Sequence, residues 1–551
     1  MPGRIAMVSR TPDFTPLIDL VAQPGTGPVR VRRPLYLDLL PPCNHACPAG
    51  EDIQGWLAHA RAGRYREAWL TLVQDNPLPA IHGRVCYHPC EVSCNRKDID
   101  SAVSIHAVER FLGDEAAREG WRLPVEAAPS GKRVLIVGAG PSGLSAAYHL
   151  ARLGHTVEIR DAGPLPGGMM HFGIPAYRLP REDLMREVQR IEAMGVSIVL
   201  DHKVEDLLAE KDAGGFDAAF VAIGAHASRH VDIPARDAAH VLDAVSLLRG
   251  VGAGEHPKLG RRVAIYGGGN TAMDAARTAR RLGADEALII YHRDRAHMAA
   301  HAFEAEEALE EGVKIRWLTS IRDIAGPSLT VEVMELGADG TPRGTGEIET
   351  LTADTLVLAL GQQAESGFLA KIPGIEVAAD GTVVVAPNMM TGHPGIFAGG
   401  DMVPSERTVT AAVGHGKKAA RAIDRWLRGE DARPAQPRPV VGFEMLHLPI
   451  YSDAEQRAQA TLPAATRSAG FEEVVAGLGE ADARYEAQRC LSCGNCFECD
   501  QCYAACPEQA IEKLGPGLRY QLLYDRCTGC GVCYEACPCH AIEMIPEVAA
   551  S

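Results

Sequence analysis

The sequence predicts a multidomain α/β protein. It should combine a helical N-terminal domain bearing cysteines, two Rossmann-like domains, and a small α+β ferredoxin-like domain at the C-terminal end. Three observations predict this. RVLIVGAGPSGLSAAYHLARLGHTVEIRD and RRVAIYGGGNTAMDAARTARRLGADEALIIYHRD repeat one plan of strand, glycine turn, helix and strand. The 16 cysteines fall into two groups, Cys43 to Cys94 and Cys490 to Cys539, with none between. The second group contains two C-x2-C-x2-C-x3-C-P runs, the spacing of bacterial iron–sulfur domains.

The chain has 551 residues, 46% hydrophobic and 23% charged, enough for several cores. Its 55 basic and 71 acidic side chains give a formal charge of −16, which argues against a nucleic-acid or anionic-membrane surface. No apolar run approaches a bilayer's span, and the start MPGRIAMVSRTPDF has no signal-peptide core, so a cytoplasmic protein is expected. Disulfide frameworks occur mostly in small secreted chains, so the cysteines read as metal or cluster ligands. The cysteine-free centre also excludes a redox-active thiol pair beside a flavin there.

Residues 1–40, rich in proline and arginine, read as an extended arm lying on something else or disordered. Residues 41–125 read as helical with cysteine-bearing loops, since DIQGWLAHARAGRYREAWL has apolar residues at helical spacing. The linker EAAPSGK then leads into the first dinucleotide-binding region, residues 126–255, with a second over 256–370 and a return to the first over 371–430. Residues 431–485 read as a connecting segment, and 486–551 as the cysteine-dense module.

In the first dinucleotide segment Gly138, Gly140 and Gly143 form G-x-G-x-x-G between a strand and a helix. Such glycines let the backbone approach a pyrophosphate, whose charge meets the helix N-terminus. Asp161 ends the next strand, where a carboxylate can accept from a ribose. The second segment has Gly267, Gly269 and Ala272 in the same place, followed by Asn270 and Thr271 at the helix start. At the end of its second strand, His292 and Arg293 suit a 2′-phosphate and Asp294 a 2′-hydroxyl, so NADPH and NADH both stay open. Two dinucleotide folds in one chain point to FAD plus NAD(P)H. FVAIGA (220–225) and LVLALG (356–361) end strands in small residues, as at a chain crossing, and IFAGGD places Gly400 and Asp401 for a flavin ribityl or pyrophosphate contact.

VGAGPSGLSAA, PGGMMHFGIPAYRLP (with Gly168), GGGNTAMDAARTARRLGA and AGGD resemble the small subunit of bacterial glutamate synthase and the N-terminal half of dihydropyrimidine dehydrogenase. GRVCYHPCEVSCNRKDIDSAVSIHAVERF resembles their N-terminal iron–sulfur domain, so the resemblance covers residues from about 43 to 430. It implies hydride transfer from a nicotinamide to FAD, then single electrons to two [4Fe-4S] clusters in the N-terminal domain. Relatives begin that domain with C-x2-C-x4-C-x3-C-P, of which this chain keeps only Cys43 and Cys47. The resemblance implies Cys47, Cys86, Cys90 and Glu109 for one cluster, leaving Cys43 and Cys94 for another. EAQRCLSCGNC resembles the segment preceding that domain in relatives, so Cys490 and Cys493 are expected to fold back and complete the second cluster, within the chain or in a swapped pair. The alternative is a single N-terminal cluster, with Cys490 and Cys493 as spare thiols or a zinc half-site.

In the C-terminal module the fourth cysteine of each run ligates the other cluster. That pairs Cys496, Cys499 and Cys502 with Cys537, and Cys527, Cys530 and Cys533 with Cys506, two [4Fe-4S] clusters in all. Cys539 is surplus, expected to be a small packed side chain. The expected function is an NAD(P)H:acceptor oxidoreductase subunit, part of a hetero-oligomeric complex. It would relay electrons in either direction between nicotinamide, FAD and clusters and a partner oxidoreductase or soluble ferredoxin. No separate catalytic acid, base or nucleophile is expected, since hydride transfer demands none. The alternatives are a glutamate synthase small subunit and a cluster-bearing scaffold without turnover.

Overall fold

The computed structural model describes residues 30–125, 127–228, 235–236, 240–431, 437–448 and 452–547. Most of the proline- and arginine-rich arm therefore lies outside the described residues. No helix among the described residues is long and apolar enough to cross a membrane.

Two parallel five-stranded sheets form the centre. The first runs Ile396–Ala398, Ala218–Val221, Arg133–Val137, Thr156–Arg160, Ser197–Val199 in spatial order. The second runs Lys314–Arg316, Glu286–Ile290, Arg262–Tyr266, Thr355–Leu358, Val241–Asp243. Each central strand, RVLIV and RVAIY, is apolar and buried throughout after its exposed first arginine, as a strand covered by helices on both faces requires. Val241–Asp243 pairs with Thr355–Leu358, so the second domain takes up residues expected in the first. Ala364 and Leu369 pack into the core shared with the first sheet, so the chain returns to that domain before residue 371. Both shifts arise because short crossing strands carry too little periodicity to mark a boundary.

The N-terminal helices, Ile53–Arg61, Tyr65–Leu72, Pro79–Val85 and Ile105–Arg118, share the first sheet's hydrophobic core through Trp56, Trp69 and Leu112. The 20-residue helix Val409–Arg428 lies between them and the first dinucleotide domain. Gly414 sits so close to Pro48, and Gly416 to Ser142, that a side chain at either would strike backbone.

Residues 452–488 bear only short helices and run along the N-terminal domain. The C-terminal module has two antiparallel pairs, Ile511–Lys513 with Tyr520–Leu522 and Ile542–Pro546 with Arg32–Tyr36. The described end of the N-terminal arm is thus a strand of the C-terminal module.

Candidate functional site

The first glycine loop turns at Gly138, whose φ of +108° is a left-handed conformation and whose α-carbon faces the Ala222 carbonyl. A side chain there would be strained and would collide. Gly143 packs as closely on the Gly138 carbonyl, which seats helix Pro141–Arg152 directly after the loop with Gly140 at its N-cap. Gly168 approaches Gly140, its notional β-carbon 2.9 Å from the Gly140 α-carbon, and Gly400 lies against Ser142. Ser142 Oγ is buried without a hydrogen-bond partner at this uncapped N-terminus, as expected of a donor awaiting a phosphate oxygen. Asp401 stands beside Gly400, and burial raises its carboxyl to about 6 against the pull of Arg407. These residues fit FAD. Asp161 differs in one respect from expectation: its carboxylate accepts from the N–H groups of Ala139 (2.6 Å) and Gly163 (2.7 Å), so it braces the loop.

The second loop repeats the design. Gly267 has φ +141° and abuts the Ala359 carbonyl, and Gly269 caps helix Asn270–Arg281. The Asn270 side chain is occupied, donating to Tyr87 Oη (2.7 Å) and accepting from His301 N (3.0 Å), so what it offers a nucleotide is its backbone N–H. Thr271 follows in the first turn. Asp294 spends its carboxylate on the backbone and ring nitrogens of His297, whereas Arg293 Nε is buried without a partner. His292 beside it has its pKa lowered by burial and by Arg293.

The cysteines gather into four groups. Half-buried Cys47 and Cys86 and buried Cys90 lie close together beside Glu109. Burial raises the Cys47 and Cys86 thiols, and nearby carboxylates, Glu109 among them, raise them further. Burial and the neighbouring Glu51 also hold the Glu109 carboxyl well above its ordinary range. Glu51 was not foreseen. It is 4% exposed, accepts from Trp56 Nε1 (3.3 Å), and shares Asn76 with Glu109 (3.0 and 2.8 Å). Its only sequence signal is an acid four residues after Cys47 in a cysteine loop.

Cys43, Cys94, Cys490 and Cys493 line one largely apolar cavity with Leu57, Val103 and Ile105. Arg489 holds the returning segment there. Only 3% exposed, it donates to the carbonyls of Ala102 (2.8 Å), Ser101 (2.7 Å) and Ala454 (3.0 Å) and to the carboxylates of Asp100 (3.0 Å) and Glu486 (2.8 Å). Asn95 Nδ2 donates to Cys493 Sγ at 3.5 Å.

Cys496, Cys499, Cys502 and Cys537 form a third group: burial raises the Cys502 thiol to about 11, with Cys496, Cys537 and Cys499 contributing. Cys506, Cys527, Cys530 and Cys533 form the fourth group and line a cavity of their own. Cys530 is exposed, so this group reaches the surface. Quartets of sulfur donors, or three with a carboxylate, suit iron–sulfur clusters. Cys539 is buried, its Sγ 3.8 Å from that of Cys537.

The groups follow one another. Thr410 Oγ1, on the helix against the flavin loop, donates to Cys86 Sγ at 3.2 Å. Cys90 of the first group lies near enough for Cys43 of the second to raise its thiol further, after burial and closer charges. Cys493 and Cys496 are separated by two residues, which brings the second and third groups together.

Fold and site together define a FAD- and NAD(P)-dependent oxidoreductase with iron–sulfur domains. Residues 132–416 match the family described as pyridine nucleotide-disulphide oxidoreductase. Residues 39–121 match domain II of dihydropyrimidine dehydrogenase, a 4Fe-4S cluster domain, and residues 495–541 a 4Fe-4S dicluster domain. The chain is 37% identical over 498 residues to the NADP(+)-dependent formate dehydrogenase subunit beta of Moorella thermoacetica, covering 82% of this chain and 70% of that one. It is 33% identical over 505 residues to the NADPH-Fe(3+) oxidoreductase subunit beta of Geobacter sulfurreducens, covering 82% and 75%. With the glutamate synthase [NADPH] small chain of Escherichia coli it shares 33% over 424 residues, covering 70% and 89%. The chain therefore belongs to the pyridine nucleotide-disulphide oxidoreductase family, in the glutamate synthase small-chain and dihydropyrimidine dehydrogenase branch, with a C-terminal dicluster domain.

Proposed function

We propose that this chain is the NADPH-oxidising subunit of a larger oxidoreductase, holding FAD and four [4Fe-4S] clusters and exchanging electrons with a partner at its C-terminal module. The observation that carries this reading is the unbroken succession of cysteine groups from the flavin loop to exposed Cys530. Bound FAD would exchange hydride with nicotinamide and single electrons with the clusters, each of which carries one at a time. Ser142 and the helix N-terminus behind it would hold the flavin pyrophosphate. Helix Val409–Arg428 touches helix Pro141–Arg152 behind the first glycine loop through Gly416 and the Cys47–Pro48 loop through Gly414, so one helix joins the residues that would hold FAD to the first cysteine group. Arg489 keeps the second quartet assembled. Unpaired Arg293, with Asp294 occupied, favours a 2′-phosphate and hence NADPH.

Exposed apolar side chains on the C-terminal module, Tyr503 (45%), Leu514 (47%) and Leu518 (63%), suit a protein partner there. The names of two relatives describe beta subunits of NADP(H)-linked enzymes, which agrees with such a partner. A glutamate synthase role is favoured less, since that small chain aligns with 70% of this one against 82% for those two.

Anaerobic titration with NADPH and, separately, NADH tests the proposal. NADPH should bleach flavin and cluster absorbance together. Flavin reduction that leaves every cluster oxidised, even with ferredoxin as an added donor, would refute the relay.

A further inference from the structure

The C-terminal module is a duplication, ACPEQAI in one half and ACPCHAI in the other, each followed by a strand. The strand of the first half, Ile511–Lys513, pairs with Tyr520–Leu522, which immediately precedes the second cysteine run. By the same plan the strand of the second half, Ile542–Pro546, should pair with residues immediately preceding Cys496. Those residues are CLSCGN, whose two cysteines line the second quartet's cavity. Arg32–Tyr36 takes the vacated position instead, with Tyr36 opposite Ile542.

We propose that this borrowed strand tunes the third quartet: Tyr36 hydrogen-bonds to Cys502 and raises the reduction potential of the cluster held by Cys496, Cys499, Cys502 and Cys537. The inference rests on the reading of that quartet as a cluster site. Tyr36 Oη lies 3.6 Å from Cys502 Sγ. A ligand thiolate has no proton to give, so the phenol is the donor. Cys539, 3.8 Å from Cys537 Sγ, supplies a second such donor on the same quartet.

Reduction adds negative charge to a cluster, and a donor on its ligand sulfur strengthens as that charge grows. Such contacts therefore raise the potential, whereas burial lowers it. The third quartet has two buried cysteines, Cys502 and Cys537, and none exposed, whereas the fourth has one buried, Cys533, and one exposed, Cys530, so burial alone would leave the third quartet a step that electrons must climb. The sulfurs of Cys506 and Cys527 in the fourth quartet accept from the backbone N–H groups of Ala510 and Gly529, as that of Cys537 in the third does from Ala541, so backbone donors serve both quartets and the side-chain donors are what sets the third apart. The Tyr36 and Cys539 donors bring the inner quartet toward level with the outer one. Tyr36 is a positioning residue here, acting on the cluster through Cys502.

The test is a potentiometric titration of the full chain, followed by electron paramagnetic resonance, for wild type, Tyr36→Phe, Cys539→Ala and Cys539→Ser. Phe keeps the ring and removes only the donor. One cluster should then show about a tenfold lower ratio of reduced to oxidised form at fixed potential, about 59 mV for a one-electron couple, with the other clusters unmoved. Cys539→Ala should shift the same signal and Cys539→Ser, which keeps a donor, should restore it. Unmoved midpoints in Tyr36→Phe with full iron content would overturn the proposal. If Tyr36→Phe loses iron, the Ala and Ser variants at Cys539 decide: equal midpoints in both would overturn it. A wild-type C-terminal module without iron would instead refute the cluster reading on which the inference rests.

Discussion

Replacing Cys490 and Cys493 together with alanine removes two of the four sulfurs around the second cavity. The fold should survive, because Arg489 and Glu486, not the thiols, fasten this segment to residues 100–104. The remaining pair, Cys43 and Cys94, cannot hold a cubane, so iron per chain should fall by about one quarter, one cluster of four. Helix Val409–Arg428 and both glycine loops are untouched, so flavin reduction by NADPH should proceed at the wild-type rate. Electrons would then have to pass from the first quartet to the third without a stop. In the intact protein Cys493 and Cys496 lie three residues apart, at most about 10 Å of extended chain, so the second quartet abuts the third. Stopped-flow absorbance should show normal flavin bleaching followed by much slower reduction of the C-terminal clusters. Unchanged iron together with unchanged cluster reduction would refute the assignment of these four cysteines to one cluster.

Gly414→Val would drive a side chain into the Pro48 carbonyl, backbone that cannot rotate away. It should cost roughly 1–3 kcal/mol by denaturant titration and slow flavin-to-cluster transfer without slowing hydride transfer. Asp401→Asn bears on pH. Burial raises the native carboxyl from 3.8 to about 6, so the apoprotein loses stability as pH rises through that interval and the group is forced to ionise. The variant should melt like wild type near pH 4 and be more stable above pH 6, by about 2–3 kcal/mol, in thermal scans of flavin-free protein. A stability difference that does not depend on pH would contradict the burial argument. Glu109→Ala should cost the first cluster and its iron, whereas Glu51→Ala should retain both; iron analysis with paramagnetic resonance checks the pair, and the reverse pattern would move the oxygen ligand to Glu51.

What was legible in the sequence was local. The glycine loops follow from a few residues whose spacing is dictated by backbone contact with a pyrophosphate, and the ferredoxin runs from sulfurs that must wrap one cubane. Cys43 and Cys490 line one cavity, a proximity that the sequence suggests only through the family resemblance, in which two ligands absent from the N-terminal domain stand at C-x2-C spacing elsewhere. Arg32–Tyr36 was illegible as part of the C-terminal module because its partner strand lies some five hundred residues away and RRPLY carries no alternating pattern. Glu51 was missed because a lone acid in a glycine-containing loop looks solvated, and only tertiary packing beneath Trp56 and Asn76 buries it. Asn270 opens its helix and Asp161 follows its strand, as the motif expects, yet their side-chain partners depend on neighbours that the motif does not encode.

The displaced C-x2-C pair and the borrowed strand have one physical cause. A cysteine pair moved to the front of the ferredoxin runs can serve the N-terminal domain only if the C-terminal module docks beside it. The same pair also occupies the place where that module's own strand would have been. The residues preceding Cys43 already run past the docked module, so the nearest unpaired backbone is the arm, and Arg32–Tyr36 closes the exposed edge of Ile542–Pro546. An open strand edge beside two clusters would admit water and foreign strands. Arg30, ion-paired with Glu547 at 2.6 Å and donating to the Cys527 carbonyl at 3.2 Å, fixes the other end of the closure. Each end of the chain thus completes a site whose other half lies near the opposite end. The second quartet and the C-terminal module therefore share the contacts that hold them.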